Sequence, residues 1–183
     1  MKVKDLVYIA IFTSIICAMS LVTIPTTIPF TLQTMAIFLV IFMLKPVDGI
    51  ISVSLYILIG AIGLPVFANF KSGFGVLAGP TGGYIIGFII MPIIPLVIKK
   101  KVVASTIGLI ICYTFGTIWF IMFNTSGIHS FWKVLTICVL PFIIPDAVKL
   151  ILAYLLSKRL KFLTEDTKGP GDEDDMEEKN TIE

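Results

Sequence analysis

The sequence predicts an all-α membrane protein of six transmembrane helices, with the N-terminus and the C-terminus both cytoplasmic. Three observations carry that prediction. First, 57% of the 183 residues are hydrophobic and only 14% are charged, where soluble domains carry roughly 25%. Second, residues 6–44, 49–70, 72–98 and 102–132 contain no Asp, Glu, Lys or Arg. About 20 apolar residues in a helix cross a hydrocarbon core of roughly 30 Å. Third, the basic residues fall on one side. With the N-terminus inside, Lys2, Lys4, Lys45, Lys99, Lys100, Lys101, Lys158, Arg159 and Lys161 are cytoplasmic, and the outer side keeps only Lys71 and Lys133. Such an excess of Lys and Arg in short loops marks the inner face.

The elements follow in chain order. The first span covers 6–23 and stops at Ile24-Pro25, because the residue before a proline is pushed out of the helical region. Its charged start resembles a signal peptide, but a small-residue cleavage site is missing and five further spans follow, so it is expected to stay as the first helix. Thr26-Thr27-Ile28-Pro29-Phe30-Thr31 leads into a short second span that ends at Leu44. Lys45-Pro46-Val47-Asp48-Gly49 is a turn, punctuated by Pro and Gly. The third span is 50–64, followed by a glycine-rich loop, 65–80, that carries Lys71. The fourth span is 82–98, closed by Lys99-Lys100-Lys101. The fifth is 102–123, and 124–131 is a polar connection. The sixth is 132–156, closed by Lys158, Arg159 and Lys161. This divides the chain into a membrane domain over 1–163 and a tail over 164–183. The tail is rich in Asp and Glu with almost no apolar residues, a composition that predicts disorder; binding a basic partner is the alternative.

Asp146 and Lys149 are the residues with the most to explain. Both sit in an otherwise apolar span, and a charge near the middle of a membrane helix costs about 2.5–3.5 kcal/mol even on lenient scales. At i and i+3 they share one helix face. Two readings are open: an internal salt bridge that fixes the helix, or a pair that grips something polar. The second is favoured because other polar groups converge on the outer side. Gly63-Leu64-Pro65-Val66-Phe67-Ala68-Asn69 and Gly79-Pro80-Thr81-Gly82-Gly83-Tyr84 combine glycine, which permits close approach, with proline. They read either as a shaped cavity wall bearing Thr81 and Tyr84 or as a packing face between helices. Gln33 at the start of span two offers an amide to a neighbouring helix or to the same cavity. Phe67, Phe74, Tyr84, Tyr113 and Trp119 are candidates to sandwich a ring or to anchor at the interface. Ala10, Ser14 and Ala18 place small residues every fourth position along span one, a surface another helix can approach closely.

Several functions are excluded. The basic residues are dispersed, so nucleic acid is not a partner. Cys17, Cys112 and Cys138 show no metal-ligand spacing and read as small hydrophobes in helix packing. His129 is the only histidine, and nothing near it pairs a nucleophile with a base. No phosphate-cradling glycine loop is present, so ATP-driven work falls to another polypeptide. The chain is not expected to be an enzyme.

These residues together resemble the BioY family, the biotin-specific substrate-binding (S) subunits of energy-coupling factor (ECF) transporters. The resemblance rests on Pro29-Phe30-Thr31-Leu32-Gln33-Thr34, on Gly63-Leu64-Pro65-Val66-Phe67-Ala68, and on the run from Gly75 through Gly79-Pro80-Thr81-Gly82-Gly83-Tyr84 to Phe88. Tyr113-x-x-Gly116 and Asp146-x-x-Lys149 complete it, and it covers residues 4–161. It implies a multi-pass protein of the bacterial cell membrane that holds biotin near the outer surface and needs no cofactor. It further implies docking on a transmembrane coupling (T) subunit driven by two cytoplasmic ATPases. Within it, Asp146 and Lys149 correspond to a biotin-binding pair, and Ala10, Ser14 and Ala18 to the face that meets the coupling subunit. Ser14 stands where the family usually has alanine, and Ile144-Pro145 where it has Pro-Gly. Gln33, Asn69, Thr81 and Tyr84 are further candidate ligand contacts, and a subunit for another small vitamin is the alternative.

Overall fold

The structure is a computed structural model that describes residues 3–24, 29–123 and 131–166. His129, Thr26, Thr27 and most of the expected acidic tail lie outside the described residues. Helix α1 (Val3–Leu21) is followed by a ribbon of two-residue strands, β1 (Thr23–Ile24) and β2 (Phe30–Thr31). Then come α2 (Gln33–Met43), α3 (Pro46–Ala61), the short α4 (Phe74–Leu77), α5 (Gly82–Ile90), α6 (Lys101–Phe123), α7 (Phe131–Cys138) and α8 (Leu140–Asp166). On length and composition, Val3–Leu21, Lys101–Phe123 and Leu140–Leu160 can each cross a membrane. Gln33–Met43, Pro46–Ala61 and Gly82–Leu96 are shorter apolar helices.

Helix α2 is the centre of the bundle. Every residue from Ala36 to Phe42 is buried, as expected of a helix that is apolar all round. It packs against α1 on one side and α8 on another, while α5 and α6 form a second tightly packed pair. At 11 residues α2 rises only about 16 Å. Irregular backbone, the ribbon, leads into its N-terminal end. Its C-terminal end is closed by Lys101, whose Nζ donates to the carbonyls of Phe42 (3.1 Å) and Leu44 (3.2 Å). Terminal helix carbonyls lack intrahelical donors, and a cation there also opposes the helix dipole.

The third span is α3, Pro46–Ala61, so the expected turn at 45–49 is its first turn, with Pro46 tolerated at the helix start. Three further elements differ from the sequence reading, and proline explains two of those. The fourth span is helical only to Ile90, then continues through a turn and a 3-10 segment, Ile94–Leu96. Pro92 and Pro95 have no N–H to extend the α-helical ladder. The sixth span is two helices, broken at Val139, two residues before Pro141, which is tolerated in the first turn of α8. The third difference is the ribbon. Thr23 pairs with Thr31 and Ile24 with Phe30, antiparallel, so the segment that leads into span two is tied back to the end of α1. The backbone of α8 runs to Asp166, two residues past the expected start of the tail at Thr164.

Candidate functional site

Asp146 and Lys149 lie on the face of α8 that packs against α2, and they are 1% and 5% exposed. They pair with each other, Lys149 Nζ to Asp146 Oδ1, at 2.7 Å. A buried ion pair repays its desolvation only when further hydrogen bonds satisfy its remaining groups. Here they do. Thr34 Oγ1 donates to Asp146 Oδ1 (2.9 Å) and Tyr113 OH donates to Asp146 Oδ2 (2.5 Å). Lys149 also donates to the Thr31 carbonyl (2.7 Å) and to Thr34 Oγ1 (3.1 Å). Its ammonium stands 4.1 Å from the centre of the Phe30 ring, a cation–π contact. The Thr34 hydroxyl thus donates to the acid and accepts from the base. Thr34 also lies in the first turn of α2, where the helix dipole favours a nearby carboxylate.

The ribbon makes this geometry possible. Strand β2 delivers Phe30 and the Thr31 carbonyl to Lys149 immediately before α2 delivers Thr34. The side chain just before Thr34 on α2, Gln33, is also buried, and its Nε2 donates to Tyr56 OH (3.0 Å). Beside the ribbon, residues 62–73 form a compact loop. Phe67 is fully buried, edge-on to Tyr56 with ring centres 5.6 Å apart, and its ring fills the space over Gly60, where a Cβ would come within 2.2 Å of it. Asn69 and Phe70 have φ of 58° and 56°, a left-handed turn that costs free energy in residues other than glycine. Ser20 Oγ donates to the Val66 carbonyl, and Thr23 Oγ1 bonds Asn69 Oδ1 at 2.8 Å. Both bonds tie the loop to the end of α1 and to β1.

The opposite wall is α5 with α6, and glycine sets its spacing. A Cβ on Gly83 would lie 2.2 Å from Trp119 Cβ, and one on Gly116 would lie 2.2 Å from the Tyr84 ring. The Tyr84 hydroxyl meets Thr117 Oγ1 at 3.2 Å, and Trp119 Nε1 donates to the Gly79 carbonyl at 3.0 Å. The Gly-Pro-Thr-Gly-Gly-Tyr run is therefore both things the sequence left open. Its glycines are a packing face, while Thr81 and Tyr84 look onto a cavity.

That cavity, about 160 Å³, is enclosed by the two walls and the loop. Gln33, Asn69, Thr81, Tyr84, Asp146 and Lys149 all line it. Thr34 and Tyr113, which grip Asp146, also line it, and so do Phe67, Phe142 and Lys71. Two aromatic candidates do not: Phe74 projects outward at 73% exposure, and Trp119 is taken up packing on Gly83 and stacking on Phe123 at 4.6 Å. Ala10, Ser14 and Ala18 are exposed on α1 and form no part of the cavity. Lys149 is more committed than its sequence suggests. Its three N–H donors all meet protein acceptors, so direct donation to a ligand would need one of those bonds exchanged. Asp146 accepts three hydrogen bonds, and a carboxylate has about four lone-pair sites, which leaves it room for one more donor.

The chain is similar to known proteins over nearly all its described length. The family model described as the BioY family matches residues 1–166. A biotin transporter BioY of Thermotoga maritima is 39% identical over 168 residues, 87% of this chain and 97% of that relative. A probable biotin transporter BioY of Pyrococcus horikoshii is 35% identical over 164 residues, 88% of this chain and 98% of that relative. Among solved structures, the S-component for biotin from an ECF-type ABC transporter superposes with a TM-score of 0.77 at 29% identity, covering 87% of this chain and 91% of that one. With apolar helices of membrane-crossing length around a buried Asp–Lys pair, the chain is a membrane protein and belongs to the BioY family.

Proposed function

We propose that this chain is the biotin-binding S subunit of an ECF-type uptake system, carrying biotin as cargo with no resident cofactor. One observation carries the reading: an acid–base pair buried in an apolar bundle, its ammonium saturated and its carboxylate one donor short, forms part of the wall of a cavity. A pair that only fixed α8 against α2 would have no need of that opening. The ureido ring of biotin offers two N–H donors, and one of them completes the acceptor set of Asp146 with a charge-assisted bond. Gln33, Asn69 and Thr81 are further polar contacts, and Phe67, Tyr84, Tyr113 and Phe142 enclose the apolar thiophane ring, in keeping with the mostly apolar lining of ligand sites.

The membrane domain over 1–163 is read as six spans with both termini cytoplasmic and the tail over 164–183 beyond it. Helices α1, α2, α3, α5 with its 3-10 extension, α6, and α7 with α8 supply the spans, and the lysine distribution supplies the orientation. Irregular backbone at membrane depth is tolerated where it lines a cavity, which is the place of the ribbon and the loop in this reading. The exposed small face of Ala10, Ser14 and Ala18 is assigned to the T subunit, with two cytoplasmic ATPases driving transport in the bacterial cell membrane.

Calorimetric titration of the detergent-purified protein tests the assignment. Asp146→Asn is expected to weaken biotin binding at least tenfold, about 1.4 kcal/mol. Unchanged affinity would remove Asp146 from the ligand site, and tighter binding of a competing vitamin would reassign the subunit.

A further inference from the structure

We propose that Lys71 receives the carboxylate of the ligand, fixing its direction in the cavity and selecting a free acid over its amide or ester; the inference rests on the biotin reading above. Among the described residues lining the cavity, two are cationic, Lys71 and Lys149. The Lys149 ammonium already meets Asp146, Thr34 and the Thr31 carbonyl, so it has no donor left for a second carboxylate. The buried end of the cavity holds the Asp146 carboxylate, and a ligand that placed its own carboxylate there would set like charges together where little water screens them. A ligand with a hydrogen-bonding ring at one end and an acid at the other is therefore turned ring-inward.

At the opening, Asn69 and Lys71 are both exposed, and no ion pair to Lys71 is formed by a described residue. Its position is held by the loop rather than left to a free strand. The Phe67 N–H donates to the Lys71 carbonyl at 3.0 Å, and Phe67 itself is locked beneath Gly60. The left-handed turn at Asn69 and Phe70 reverses the chain between them. Buried Phe67 and exposed Lys71 thereby become the two ends of one short bridge across the loop.

Biotin and biotinamide, titrated into the detergent-purified full chain, test this directly. An exposed ion pair is worth up to roughly fivefold in affinity, so the unaltered protein is expected to prefer biotin over biotinamide by about that factor at low salt, with the preference shrinking at high salt. Lys71→Gln is expected to lower biotin affinity about fivefold and leave biotinamide affinity unchanged. Lys71→Glu is expected to reverse the preference. Equal losses for both ligands would reduce Lys71 to a loop residue, and no loss for either would take it out of the site; each result overturns the proposal. If the unaltered chain bound neither ligand, the biotin assignment would itself fall, and the role of Lys71 with it.

Discussion

The two walls of the cavity are built on opposite principles. On the α2–α8 side, closeness is polar: a buried carboxylate and ammonium are held by Thr34, Tyr113, the Thr31 carbonyl and the Phe30 ring. On the α5–α6 side, closeness is steric: Gly83 and Gly116 let Trp119 and Tyr84 pack where no Cβ would fit. The glycine wall sets how closely α5 and α6 approach, and the polar wall carries the groups assigned above to the ligand. The two walls are therefore expected to answer mutation differently.

The sharpest way to break that comparison is to unbalance the polar wall. Asp146→Ala strands Lys149 as an unpaired buried cation, and removing one partner of a buried pair costs about 3–5 kcal/mol. Neutralising both partners, as Asp146→Asn with Lys149→Met, is expected to restore most of the thermal stability in detergent without restoring biotin binding. If the double variant melted as low as the single one, the polar wall would be needed for folding as well as recognition. On the other wall, Gly83→Val is expected to destabilise by about 1–3 kcal/mol, the usual cost of overpacking. A thermal melt of the purified protein at unchanged temperature would mean that α5 and α6 separate freely. The mildest change is Tyr113→Phe, which deletes one hydrogen bond to the carboxylate while keeping the ring. A thermal melt should register a loss of about 1.5 kcal/mol, since hydrogen bonds to charged groups contribute about 1.5–3 kcal/mol to stability, and calorimetry a loss in biotin affinity beside it. A lower melt at full affinity would place Tyr113 on the structural side alone.

Much of this was legible before any coordinates, and the reasons differ by residue. Asp146 and Lys149 announce themselves because charge in an apolar span is expensive. The glycine runs stand out because few local structures demand so much glycine. Their partners were harder to see. Thr34 and Tyr113 are ordinary residues in their own helices, and only the packing of α2 and α6 against α8 brings their hydroxyls to one carboxylate. The saturation of Lys149 is equally a tertiary fact, since one of its acceptors is a backbone carbonyl in β2, which any residue type would supply. The ribbon itself has strands of two residues, too short for an alternating pattern to register. The break at Val139 did have a signal in Pro141, masked by the apolar character on both sides. For Phe74 and Trp119 the sequence left a cavity wall and an interfacial anchor both open, because an aromatic residue declares bulk but not direction.

The contact between Thr23 and Asn69 joins the ribbon to the loop in an exposed position. A hydrogen bond of that kind contributes about 0.5–1.5 kcal/mol net, equivalent to a factor of roughly ten at most in how often it opens. Such a latch is too weak to imprison a small solute by itself. The Ser20–Val66 bond and the buried Phe67 ring anchor the same loop from beneath, so the exposed latch is the first contact to yield in a segment that otherwise stays put.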